Sequence, residues 1–169
     1  MKRLNNYELS LLILLTFALS SAAVAQEAVI LSGEELAKLL PANFYFDGQL
    51  APTQTRNAAA VRFDNKRHVV ASLVETSGYA TSIREKFEGF LISDARISVG
   101  SAQLVPGAYG FGFTKDGKMN IFDLGENQLA SIPASQDAKL KSPRPLAIVK
   151  NGNEIRLYRG RDFVVIGIK

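Results

Sequence analysis

No cysteine occurs anywhere in this 169-residue chain. That removes disulfide scaffolds, thiol catalysis, cysteine-ligated zinc, iron–sulfur clusters and thiolate-bound haem together. Histidine is nearly as scarce, with His68 the single one. One imidazole cannot build a histidine-based metal site, and the positions in phase with it, Val70, Ser72 and Val74, are not ligands. No G-x-S-x-G elbow surrounds a serine, so α/β-hydrolase chemistry has no support. A Ser-His-acid triad would have to use His68, and the sequence places no partner beside it. Carboxylate pairs such as Glu85 with Glu88, or Glu75 with Asp94, have the chemistry for glycoside hydrolysis. They stand near turns or helical segments, where solvated surface is the plainer reading. Asp116-Gly117 lacks the further carboxylates of a calcium loop. No cofactor is expected.

Charge of one sign is also missing. Twenty Lys and Arg face 16 Asp and Glu, and no basic run exceeds two residues. Arg67 and the pair Arg159 and Arg161 stand among acids. A nucleic-acid partner is therefore not expected.

What is present begins with a leader. Lys2 and Arg3 precede an apolar run from Leu9 to Leu19, broken only by Ser10 and Thr16. Small residues follow, and Ala23-Val24-Ala25 fits the A-x-A rule, so cleavage is expected between Ala25 and Gln26. The uncharged stretch Leu9 to Ala25 is 17 residues and ends Ser/Ala-rich, short of the about 20 a spanning helix needs. Residues 1–25 thus read as a signal peptide and 26–169 as one β-rich domain. The mature chain is expected to be exported, periplasmic or extracellular, and not membrane-spanning. Removing Lys2, Arg3 and Glu8 leaves 18 basic residues against 15 acidic ones.

The domain opens with one helix signal. Ser32-Gly33-Glu34-Glu35 has the form of a capping box, Leu36, Leu39 and Leu40 share a face, and Pro41 stops the element. Beyond it the pattern is period two. Phe44-Tyr45-Phe46 reads as a strand ending at Asp47-Gly48, Pro52–Asn57 as a polar loop, and Ala59–Phe63 and Arg67–Glu75 as strands. Ser82–Lys86 suggests a helical turn. Gly100-Ser101, Lys115-Asp116-Gly117 and Asn151-Gly152 are hairpin signals, and Pro106-Gly107 is a turn. Phe163–Ile168 is a final apolar strand. The count is nine or ten strands, mainly antiparallel, in an all-β barrel or two-sheet sandwich with one short N-terminal helix. Frequent charges in the strands disfavour a membrane barrel.

Two stretches stand out as sites. Tyr109, Phe111 and Phe113 share one strand face while Gly110 and Gly112 leave the other bare. Glycine there lets the Leu36/Leu39/Leu40 helix, another sheet or a ligand approach the backbone. The second is the polar interruption Thr76-Ser77-Gly78-Tyr79, with Arg62 and Arg84, suited to a barrel mouth or an interaction loop. Tyr79, Arg62, Arg84, Tyr109, Phe111 and Phe113 are the candidate ligand-binding residues.

Leu104-Val105-Pro106-Gly107-Ala108-Tyr109-Gly110-Phe111, with Thr76-Ser77-Gly78-Tyr79, Gly89-Phe90-Leu91-Ile92 and Pro143-Arg144-Pro145-Leu146, resembles small exported β-proteins of soil bacteria such as acidobacteria. The L-x-P-G-x-Y element is also similar to one in larger bacterial β-domains. Neither resemblance implies an activity or a site. The leading expectation is a non-enzymatic exported protein that binds a small apolar ligand or an envelope protein. The alternatives are a structural or interaction module with a solid core, or an enzyme without a recognisable motif.

Overall fold

A computed structural model describes residues 27–64 and 66–169. The leader and its Ala25/Gln26 junction lie outside the described residues. The chain runs β1 (Val29–Leu31), α1 (Gly33–Leu39), β2 (Asn43–Phe46), β3 (Gln49–Arg62) and β4 (His68–Val74). A single helical turn, α2 (Thr81–Arg84), precedes β5 (Gly89–Ser93), β6 (Ile97–Val99), β7 (Ala102–Leu104) and β8 (Gly107–Phe113). Then follow β9 (Lys118–Phe122), β10 (Gln128–Pro133), β11 (Ser135–Gln136), β12 (Arg144–Asn151), β13 (Glu154–Gly160) and β14 (Asp162–Ile168). The fold is all-β, and every pairing is antiparallel. Fourteen strands form among the described residues where nine or ten were expected, and four of them, β1, β6, β7 and β11, are only two or three residues long.

The strands form two sheets. The first has the order β1-β3-β4-β5-β8-β9-β10, with β2 on the first part of β3; the second has β12-β13-β14-β6-β7, with β11 on β14. Neither order returns to its first strand, so the barrel does not close. Between β5 and β8, which pair with each other, the chain leaves the first sheet, makes the β6–β7 hairpin in the second, and returns through Val105-Pro106. The turn read at Pro106-Gly107 is therefore a corner between sheets.

Both sheets contribute to one core. Val69, Leu91 and Phe111 of the first meet Ile97, Leu157 and Ile166 of the second. A second core covers the opposite face of the first sheet, built from Phe44, Phe46, Tyr79, Ile83, Phe87 and Phe90. This explains β4, where Val69-Val70-Ala71-Ser72-Leu73-Val74 is buried without interruption. Odd positions face one core and even positions the other.

The covering layer corrects the expected role of the first helix. Helix α1 buries none of its residues, its Leu36 and the following Leu40 only lean on the outer core, and Ser32 makes no side-chain cap. Phe46 and the backbone around Lys86 take the bare glycine face instead. A Cβ at Gly110 would lie 2.5 Å from Phe46 Cε2, and one at Gly112 would lie 1.9 Å from the Lys86 carbonyl oxygen. Phe46 stacks on Phe87 with centroids 4.0 Å apart, and Phe44 on Phe90 at 4.8 Å. Aromatic rings bury more area than two leucines on a seven-residue helix, which decides the competition.

The glycine hairpins form, with one shift. Asp47 and Gly48 both have positive φ, 46° and 74°, the mark of a type I′ turn between β2 and β3. Asn151 pairs with Glu154, so the β12–β13 turn is Gly152-Asn153, one residue later than the sequence suggested. The expected loop Pro52–Asn57 lies inside β3 as a wide bulge. Between the pairs Thr53 with Val74 and Ala58 with Ser72, β3 advances five positions and β4 only two. The Ser72 hydroxyl, fully buried, donates to the Leu73 carbonyl at 2.9 Å and lies 3.3 Å from the carbonyls of Gln54 and Asn57.

Candidate functional site

The six residues singled out in the sequence do not share a place. Tyr79 turns inward, its hydroxyl 3.2 Å from the Phe46 carbonyl and 3.1 Å from that of Gln49. Burial, with Asp47 and Tyr45 nearby, raises its pKa. It anchors the β2–β3 hairpin over the outer core. Arg84 is exposed and donates to Thr81 Oγ1 at 3.3 Å. Arg62, at the far end of β3 from that hairpin, pairs with Glu35 of α1 at 3.7 Å. The polar interruption is thus a set of separate local anchors and not a mouth.

The aromatic face of β8 divides in the same way. Phe111 is fully buried between the sheets, and Phe113 is half-buried, its ring edge-on to Phe111 at 6.2 Å. Neither lines the hollow at the end of this strand. Tyr109 does. Its ring is buried, its hydroxyl donates to the Val105 carbonyl at 2.7 Å, and burial raises its pKa against the opposing pull of that bond.

The hollow beside Tyr109 holds about 510 Å³. One lip is β7, the last strand of the second sheet; the other is β10, the last strand of the first. The floor is Leu104, Tyr109 and Ile132, and the walls carry Val105 and Leu129, each 50% exposed. No charged side chain lines it. The lips come together at one end, where a Cβ on Gly100 would lie 2.5 Å from Ile132 Cγ2. Each lip has one backbone edge with no neighbouring strand among the described residues. Natural sheets commonly guard such edges with charge, and β10 (Gln128-Leu129-Ala130-Ser131-Ile132-Pro133) has none. Sequence reading found the Leu104–Tyr109 side through its Pro-Gly corner. It missed the β10 side, because an uncharged strand announces nothing until its neighbour on that edge is seen to be absent.

Two polar pairs were also invisible in the sequence. His68 Nδ1 lies 3.0 Å from Asp94 Oδ2, and the His68 backbone N–H donates to Asp94 Oδ1 at 2.7 Å. The partners are 26 residues apart. Arg159 of β13 grips Glu88, just before β5, with bonds of 3.1 and 3.3 Å, and the Phe113 N–H donates to the same carboxylate at 3.1 Å. That fork ties one sheet to the other. Among the described residues no group of three or more His, Asp or Glu gathers as a metal site. No helix of the described residues is long and apolar enough to cross a membrane. Comparison with protein-family models, with curated proteins and with solved structures finds no match to this chain.

Proposed function

We propose that this chain is an exported, non-enzymatic binding module. Its two sheets form a sandwich with a filled core, and its task is to take an extended, uncharged peptide segment of a partner protein between β7 and β10. One observation carries the reading: an apolar groove whose two lips are uncharged end strands, each with an edge whose backbone groups no further strand pairs among the described residues. An added strand satisfies those groups with main-chain hydrogen bonds, and alternate side chains of the guest settle on Leu104, Tyr109 and Ile132. Bulging between Gln128 and Ala130, and Pro133 with no N–H to give, limit the edge to a short guest. That favours recognition over open-ended stacking.

A small apolar ligand is the weaker reading here. Such ligands are buried over most of their surface. The inner core instead is filled by Phe111, Met119, Ile121 and Leu157, none of them exposed.

The test is selection of extended peptides from a random displayed library against the purified protein. Selected sequences should be poor in charge, should bind saturably, and should lose at least tenfold in affinity on Leu129→Lys, an exposed position whose change leaves the core intact. Binding left unchanged by Leu129→Lys, or no selected sequence at all, refutes the groove as the site.

A further inference from the structure

We infer a second site, for a single-chain amphiphile with an anionic head, beneath α1. The helix lies over the first sheet without burying a residue, and a hollow opens on either flank. One, of about 420 Å³, lies among α1, the β3 bulge and the start of β12; the other, of about 350 Å³, runs along Leu36, Leu40 and Pro41. They share Gly33 and Leu36, so the two hollows adjoin at the helix. The floor of the larger is apolar: Leu31, Ala59, Leu146 and Ile148.

Its rim carries Arg56 and Arg144. Among the nine arginines of the described residues, only Arg56, Arg96 and Arg144 make no side-chain hydrogen bond or ion pair, and two of those three meet at this hollow. No acidic side chain lines either hollow, and Glu35 on the helix is already engaged by Arg62. Arg56 is carried by the bulge that Ser72 secures from below and that Asn57 braces by donating to Gln54 Oε1 at 2.7 Å. Bulges commonly re-aim a side chain in this way.

Two unpaired guanidiniums over an apolar trough specify the ligand class. The planar forks suit a carboxylate or phosphate monoester, and the trough suits one alkyl chain. A cationic detergent would meet repulsion at the rim, and a small anion would leave the trough unused. This site shares no lining residue with the β7–β10 groove, so the two stand or fall separately.

Titration calorimetry with dodecanoate, kept below its micellar concentration, tests this. The expected result is saturable binding of one molecule per chain, with none for dodecyltrimethylammonium. Arg56→Gln and Arg144→Gln should each weaken it about tenfold or more, the loss of one charge-assisted contact. Arg96→Gln, an unpaired arginine outside both hollows, should leave it unchanged. All three arginines are exposed, so an unaltered urea midpoint separates lost binding from lost folding. Equal binding of the cationic detergent, wild-type affinity in both glutamine variants, or no saturable uptake overturns the proposal. Sedimentation with phosphatidylglycerol vesicles but no uptake of monomeric dodecanoate overturns it too, by placing the chemistry at a membrane surface.

Discussion

Adding one methyl group at Gly110 tests the covering layer. The new carbon would stand 2.5 Å from Phe46 Cε2 and 2.8 Å from Cδ2, against an ordinary carbon contact of about 3.5–4 Å. Phe46 cannot retreat freely, because it is fully buried and lies within 12° of parallel on Phe87. The backbone at Gly110 has no positive φ, so strain arises only from the clash. Overpacking of this kind costs about 1–3 kcal/mol. The lower entropy of alanine in the unfolded chain returns about 0.4–1 kcal/mol. Gly110→Ala should therefore destabilise by a net of up to about 2.5 kcal/mol, and Phe46→Ala, by opening a hole, by about 3–5 kcal/mol. In the double variant the new methyl occupies vacated space, so the two losses should sum to at least about 1 kcal/mol less than additivity requires. Urea unfolding followed by circular dichroism measures all three. Gly78→Ala, with nothing within 4 Å of its added carbon and no positive φ, serves as the control and should show only the entropic gain, a stabilisation of up to about 1 kcal/mol. Additivity within about 0.5 kcal/mol would refute the packing of Phe46 on the bare glycine face.

Other consequences concern the polar contacts. Ser72→Ala removes a buried donor whose oxygen sits among three bulge and strand carbonyls, and should cost about 1–2 kcal/mol in the same urea assay. Glu88→Gln with Arg159→Gln should show a coupling of only about 0.5–1 kcal/mol, because both side chains remain about a quarter to a third exposed. The backbone N–H groups of Lys66 and Arg67, with the Arg67 side chain, lower the pKa of Asp64 from 3.8 to about 2. Asp116 is lowered likewise by Lys118 and Thr114. A carboxylate with a depressed folded pKa contributes stability that is fully present above the unfolded value and lost as pH falls toward the folded one. Wild-type urea midpoints should therefore fall between pH 3.8 and about 2 more steeply than those of Asp64→Asn with Asp116→Asn. Parallel slopes would remove both carboxylates from the acid response.

Much of the fold is legible because it is local. Glycine at 48, 100 and 117 takes positive φ where the turns were read, and the period-two runs become strands. The apolar Phe163–Ile168 run becomes β14, held between β13 and β6. The Pro52–Asn57 stretch shows how far local signals reach. Its polarity marks an interruption correctly, yet Ser72, more than a dozen residues on, holds it as a bulge within a strand. The cover is the clearest failure. Gly110 and Gly112 announce that something approaches closely, but the choice of Phe46 and Lys86 over Leu36 and Leu39 depends on how β2 folds back across the sheet. The groove was half legible for a similar reason. Tyr109 is distinctive in the sequence, whereas the lack of a strand beyond β10 among the described residues is a property of strand order alone.

Strand addition at the β7–β10 edge is the central expectation. Amide hydrogen exchange, with and without a peptide selected as above, measures this directly. The reading expects slowed exchange concentrated in Ala102–Leu104 and Gln128–Ile132, with β12 at the opposite side of the second sheet unchanged. Protection elsewhere, or a bound peptide that leaves these amides exchanging as in the free protein, would contradict it.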